Sequence, residues 1–367
     1  MINVFGSCVG KEELEEIKTS IDNQWLGMGQ KVEEFERLFT ERIGQKFILI
    51  DNCSNGLHLA VKLLGLEPGS EVIVPANTWV SCASAIVMNR CVPVFADCDF
   101  HTLNVTTETI KKALTSKTKA IMVVHYSGYP VDVEDLKQFN LPIIEDVAHA
   151  VDSKLDNTYC GTMGDIGVFS FDSMKNIACG ELGGITFKDE ALMERAISSR
   201  YCGLTKSGLQ NATTKDRWWE YDLTGYSIKQ LPNDISASIG LAQLRKLKWL
   251  QDKREAIWEG YAREFGEDLI PYNIQHSYFT YFIRTSDRDE MARHLLDKGI
   301  YTTVRYEPLH KLFKEFYREP LPVAEEFGEK GLNLPLHPNL SWNEVDYIVE
   351  NVVKFHSKKL IFKEACG

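Results

Sequence analysis

The sequence predicts an α/β protein with a mostly parallel seven-stranded sheet and a smaller C-terminal α+β domain. Three observations carry this. Short, near-continuous apolar runs alternate with helical patterns, as strands buried on both faces of a parallel sheet do. The seventh run follows a glycine pair too soon for a helical crossover, so it is expected to lie antiparallel to a neighbour. After about residue 240 the alternation stops and amphipathic helices dominate.

Taken in order, the runs are KFILID (46–51), EVIVPA (71–76), VPVFAD (92–97), KAIMVVHY (119–126), LPIIED (141–146), IGVFSF (166–171) and GGITFKD (183–189). An open α/β sheet binds its ligand outside the carboxyl ends of its strands. Unusual residues collect there: Asp51 to Asn55, Asn77 to Ser81, His125, Asp146, His149 and Ser170 to Lys175. From 238 to 265 the apolar residues recur three and four apart, predicting one long helix. YFTYFIRT, the helix RDEMARHLLDKG, YTTVRY and a closing helix from Trp342 follow. The expected division is 1–240 for the large domain and 241–367 for the small one.

The chain has 367 residues, 44% hydrophobic and 25% charged, an ordinary globular composition. A formal charge of −11 argues against non-specific nucleic-acid binding. Nine cysteines occur without a CxxC pair, so neither a disulfide framework nor a zinc site is suggested. No signal peptide is read at the start, and no stretch approaches the roughly 18 apolar residues of a membrane helix. A reduced, soluble, cytoplasmic protein is expected.

Several residues could carry chemistry. Asp146 closes a buried strand, where a carboxylate is costly unless something basic meets it. It fits a helix N-cap and a partner for a protonated ring nitrogen equally well. Ser54 and Asn55 open a helix after the first strand, a place where backbone N–H groups can receive a phosphate or simply be capped. Trp79 sits on a loop at the same edge and could cover a planar ring or fill the core. Ser170 ends a strand, and Lys175 follows five residues later. If that loop turns back, the set comprises a phosphate cradle, a ring cover, a carboxylate for a ring nitrogen and an amine for an aldehyde. Those are the parts that pyridoxal phosphate requires. No GxGxxG opens a helix after the first strand and no GxxxxGK[ST] occurs, so dinucleotide and P-loop sites lack their phosphate loops.

Carried by these residues, the chain resembles the DegT/DnrJ/EryC1/StrS family of sugar aminotransferases. The likeness runs through WLGMGQKVEEFE, CSNGLHLAV, PANTWVS, VHYSGYPVDVEDL, IIEDVAHA, FSFDSMKNIACGELGG, ASIGLAQL and LNLPLHPNLSWNEVDYIVENV. It implies the type I (aspartate aminotransferase-like) fold and pyridoxal 5'-phosphate held by Lys175 as a Schiff base. It further implies Asp146 on the pyridine nitrogen, His149 near the ring oxygen, Trp79 on the ring face, and Ser54, Asn55 and Ser170 on the phosphate. The family is a homodimer with shared active sites, and a loop of the second subunit adds a phosphate contact. Here that loop is GYSIKQLPND (225–234), which departs from the usual pattern, so Ser227 or Lys229 takes the position. The implied reaction moves an amino group from L-glutamate to a keto carbon of a nucleotide-linked keto-deoxysugar. VRYEPLH (304–310) leans slightly towards C4 over C3, although Arg305 stands where relatives have His. The alternatives are a related enzyme acting on another keto sugar or amino acid, and a non-catalytic binding protein that kept the fold.

Overall fold

The computed structural model describes residues 1–205, 217, 219–266 and 273–365. Nine strands precede residue 190: β1 (Phe47–Ile50), β2 (Glu71–Pro75), β3 (Val92–Ala96), β4 (Thr118–Val124), β5 (Ile143–Asp146), β6 (Lys154–Leu155), β7 (Thr158–Tyr159), β8 (Ile166–Ser170) and β9 (Gly183–Phe187). Seven of them form one sheet in the order β1-β9-β8-β5-β4-β2-β3. These are the seven runs read from the sequence. Strand β9 pairs antiparallel with both β1 and β8, and the other pairings are parallel. The short hop from β8 to β9 therefore had the expected consequence.

Alternate residues along each strand feed two apolar clusters, one on each face of the sheet. Ile48, Val72, Val74, Ala120 and Met122 enter the first, while Phe47, Leu49, Ile73, Ile121 and Val123 enter the second. The second is anchored by rings. Phe39 packs on Phe47 with centroids 4.5 Å apart and on Phe169 at 5.3 Å, and Phe35 meets Phe171 at 5.3 Å. Helix Cys53–Leu63 crosses β8 so closely that a methyl group on Gly56 would lie 2.8 Å from Val168 Cγ1.

The single long helix expected over 238–265 is two helices, Asp234–Arg245 and Leu247–Phe265, meeting at Lys246. The first half packs on the N-terminal helices: Ser238 Oγ lies 2.9 Å from Ser20 Oγ, and Gln243 donates to Glu13. The second half leaves for another core. Lys246 is pinned at the turn by Glu13 at 2.6 Å, and a straight helix could not serve both surfaces.

That other core contains Ile257, Tyr261, Tyr281, Leu295, Leu334, Ile348 and Val352. It is backed by β11 (Tyr281–Arg284) paired antiparallel with β12 (Gly331–Leu334), after the short β10 (Ile274–Gln275). Residues of YTTVRY form no strand, and only Thr303 bridges to Asn333. Leu309, Leu321, Ala324 and Phe327 return to the first cluster, so the C-terminal part also covers the main sheet. No helix among the described residues is long and apolar enough to cross a membrane. The eight cysteines described are free, and Cys366 lies outside the described residues.

Candidate active site

The loop carrying Lys175 does turn back. Phe171 N–H donates to Leu182 O, Cys179 N–H to Phe171 O, and Ser173 N–H to Gly180 O, closing residues 171–182 into an excursion between β8 and β9. Lys175 N–H caps it from inside through Asp172 O at 2.9 Å. Asn176 ties the loop down by donating to Gln251 Oε1 and to Ser277 O. Lys175 Nζ consequently lies 4.7 Å from the centre of the Phe279 ring. Burial, reinforced by the positive charge of Arg305 and opposed by Asp146, pushes its amine down to about 8. At pH 7 about a tenth of such an amine is neutral, far more than for an ordinary lysine, and it is the neutral form that is nucleophilic.

Asp146 ends β5 and is 4% exposed. Its Oδ1 accepts from Ala148 N–H at 2.9 Å and its Oδ2 from the Cys82 thiol at 3.1 Å. Burial raises its pKa, and the Ala148 N–H and Cys82 thiol only partly offset this. Among the described residues no lysine, arginine or histidine side chain hydrogen-bonds this carboxylate. A buried acid with weak neutral partners fits a cationic ring nitrogen brought by a ligand. The N-cap alternative is met only as far as one turn, through Ala148 N–H.

His149 is 4% exposed and lies flat on Phe279, 4.1 Å between centroids and 18° between planes. Burial, with Lys175 and Arg305 adding to it, holds its pKa well below the usual histidine value, so the ring is neutral. Ser127 N–H donates to Nδ1 at 3.3 Å, which places the ring proton on Nε2, facing Tyr306 Oη at 3.1 Å. Arg305 Nη1 donates to the same oxygen at 3.1 Å. Tyr306 therefore accepts twice, and its own proton is left for a third partner. Trp79 lies against Tyr306, ring centres 5.8 Å apart, and is 56% exposed, so it is no core tryptophan.

At the start of helix Cys53–Leu63 the cap is Asn52, whose side chain accepts from Asn55 N–H. The Asn55 side chain donates to Asp51 Oδ2 at 2.8 Å. Ser54 Oγ meets Ser81 Oγ at 2.7 Å, joining this helix to the one that begins after Trp79. Ser170 is 5% exposed, and its hydroxyl accepts weakly from Asp172 N–H at 3.4 Å. Lys175, Asp146, His149 and Trp79 are thus linked through Phe279, Cys82 and Tyr306. Ser54, Asn55 and Ser170 stand at the adjoining strand and helix ends.

Ser227 and Lys229 stand on a separate segment beside the helix start. Their segment runs along helix Cys53–Leu63, where Lys62 Nζ reaches Tyr226 O at one end and Asp51 N–H reaches Gln230 O at the other. Lys229 pairs through its backbone with Tyr201, and its side chain is exposed. His125 is fully buried against Glu145 at 2.9 Å and supports the sheet. Sequence reasoning overlooked Phe279, Tyr306 and Cys82. For Cys82 a signal existed, since it lies one turn after Trp79. Phe279 and Tyr306 come from distant segments, and no local pattern marks them.

The DegT/DnrJ/EryC1/StrS aminotransferase family model matches residues 7–353. A dTDP-4-dehydro-2,3,6-trideoxy-D-glucose 4-aminotransferase of Saccharopolyspora spinosa is 34% identical over 373 residues, covering 96% of each chain. The aminotransferase TlmJ of Streptoalloteichus hindustanus superposes with a TM-score of 0.90 at 38% identity, over 96% of this chain and 98% of its own. Spr1654 of Streptococcus pneumoniae, in a PLP form, matches with a TM-score of 0.87 at 28% identity, over 95% of this chain and 96% of its own.

Proposed function

Because the chain belongs to the DegT/DnrJ/EryC1/StrS aminotransferase family, we propose that it aminates a nucleotide-linked keto-deoxysugar with L-glutamate as donor. The chain is a pyridoxal phosphate-dependent aminotransferase of the type I fold. The observation that carries the site assignment is Lys175, a buried amine against Phe279 that is within electrostatic reach of the buried carboxylate of Asp146. C4 is favoured over C3 by the segment VRYEPLH and by the position named for the Saccharopolyspora relative.

When bound, pyridoxal phosphate supplies an aldehyde for an amine and a ring that accepts electron density during amino transfer. In this reading Lys175 Nζ would hold the cofactor and would move the proton at the reacting carbon. Asp146 would keep the ring nitrogen protonated. Ser54, Asn55 and Ser170 would meet the phosphate, Trp79 would cover the ring, and neutral His149 would orient it from beside Phe279. The cytoplasm, where thiols stay reduced, suits the free cysteines. A homodimer that shares its sites is supported by the exposed apolar residues Leu223, Tyr226 and Ile228 beside Ser227 and Lys229 in the chain. Either of those two would then reach the partner's phosphate.

The test is absorption spectroscopy of the protein with pyridoxal phosphate, first alone and then with L-glutamate. A visible band that glutamate abolishes, and that the right keto sugar restores, supports the reading. A band that glutamate leaves untouched removes glutamate as donor, and no band at all removes the catalytic role.

A further inference from the structure

We propose that Arg305 is the carboxylate anchor for the amino donor, with the Tyr306 hydroxyl as its second donor. This rests on the aminotransferase reading above and adds which residues recognise the donor. Arg305 is 7% exposed, yet its one side-chain hydrogen bond among the described residues goes to Tyr306. A guanidinium has five N–H donors in a planar fork that matches a carboxylate. Burying that charge without an anion is costly, so an anion brought by a ligand fits it.

The placement is specific. The guanidinium lies 3.8 Å from the centre of the Phe5 ring and 5.2 Å from that of Phe279, the same ring that Lys175 Nζ approaches at 4.7 Å. Amine and guanidinium therefore both approach one aromatic ring, so one amino acid could present its nitrogen to the first and its carboxylate to the second. The Arg305 backbone is fixed on both sides. Its N–H donates to Asn333 Oδ1 at 3.0 Å, and its carbonyl accepts from Tyr126 Oη. Tyr306 N–H is held by Asn77 Oδ1 at 3.1 Å. With Tyr306 already accepting from His149 and Arg305, its phenolic proton points to the same anion. Fork and phenol together select a carboxylate beside the transferred nitrogen, which amines lacking a carboxylate cannot offer.

The experiment titrates glutarate, a dicarboxylate without an amino group, into pyridoxal phosphate-loaded enzyme by calorimetry. Wild type is compared with R305K, R305Q and R305M, the last keeping the stem against Phe5 should R305Q not fold. The expected result is a glutarate Kd raised about 10- to 100-fold in R305Q and R305M, with R305K between. The KM for L-glutamate should rise in parallel while the KM for the keto sugar stays put. An unchanged glutarate Kd in either neutral variant overturns the proposal, as does failure of wild type to bind glutarate. Loss of nucleoside diphosphate affinity in place of glutarate affinity also overturns it, since the anion would then be a phosphate. A cofactor band that glutamate abolishes at wild-type KM in these variants defeats the Arg305 assignment alone and leaves the aminotransferase reading standing.

Discussion

The thiol of Cys82 donates a 3.1 Å hydrogen bond to Oδ2 of Asp146, so a helix that starts after β2 fixes a carboxylate that ends β5. The thiol is fully buried and its pKa is raised well above the usual value, by burial first and by Asp146 second. It therefore stays a thiol and a donor. Replacing it by valine removes the donor and adds a little apolar bulk to the core. We expect Cys82→Val to weaken cofactor retention by about 1 kcal/mol, since a thiol is a weak donor even to a charged acceptor. Cys82→Ser should retain it. Cofactor Kd values for the two variants check this, and equal values would remove Cys82 from the role.

Asp146 itself should matter more. Asp146→Ala removes the one carboxylate expected to meet a cationic ring nitrogen, and breaking a buried charge pair costs roughly 3–5 kcal/mol. The variant should lose cofactor on gel filtration and abstract the donor proton slowly. Wild-type occupancy and rate would end the assignment.

Lys175 gives a pH prediction with a definite sign. Its amine is depressed to about 8, so the neutral, nucleophilic form grows as pH rises and dominates above about 8. The rate at which cofactor-free enzyme captures pyridoxal phosphate should climb with pH and level off there. Stopped-flow absorbance across the range measures it. Lys175→Ala should form no visible band at any pH, while its circular dichroism stays that of wild type.

Gly183 opens β9 directly beneath the start of helix Cys53–Leu63. A methyl group there would lie 2.6 Å from Asn52 C and 2.7 Å from Cys53 N. Both are backbone atoms that cannot swing aside. Gly183→Ala should therefore destabilise the fold by about 1–3 kcal/mol and loosen the phosphate end of the site. Thermal melting with and without pyridoxal phosphate checks both effects, and an unshifted melt would show that the helix start can yield.

The strands, their order of appearance and the one antiparallel partner were legible because buried parallel strands announce themselves as unbroken apolar runs. Lys175, Asp146, Ser54 and Trp79 stood out as candidates because Asp146 ends a strand, Ser54 and Trp79 stand at helix starts and Lys175 lies on the loop after β8, places where topology gathers ligands. The break at Lys246 was not, since the apolar spacing runs through it without a glycine or proline, and only the pull of Glu13 on one side and a separate core on the other bends the chain there. Nor could Phe279, Tyr306 and Arg305 be found as one wall of the site. They lie more than a hundred residues beyond Lys175, and what joins them to it is packing: His149 on Phe279, two donors on one phenol, and a guanidinium and an amine that approach the same ring. Local patterns determine which residues can do the chemistry. Long-range packing decides which charges are stripped of water, and so which of those residues take a role.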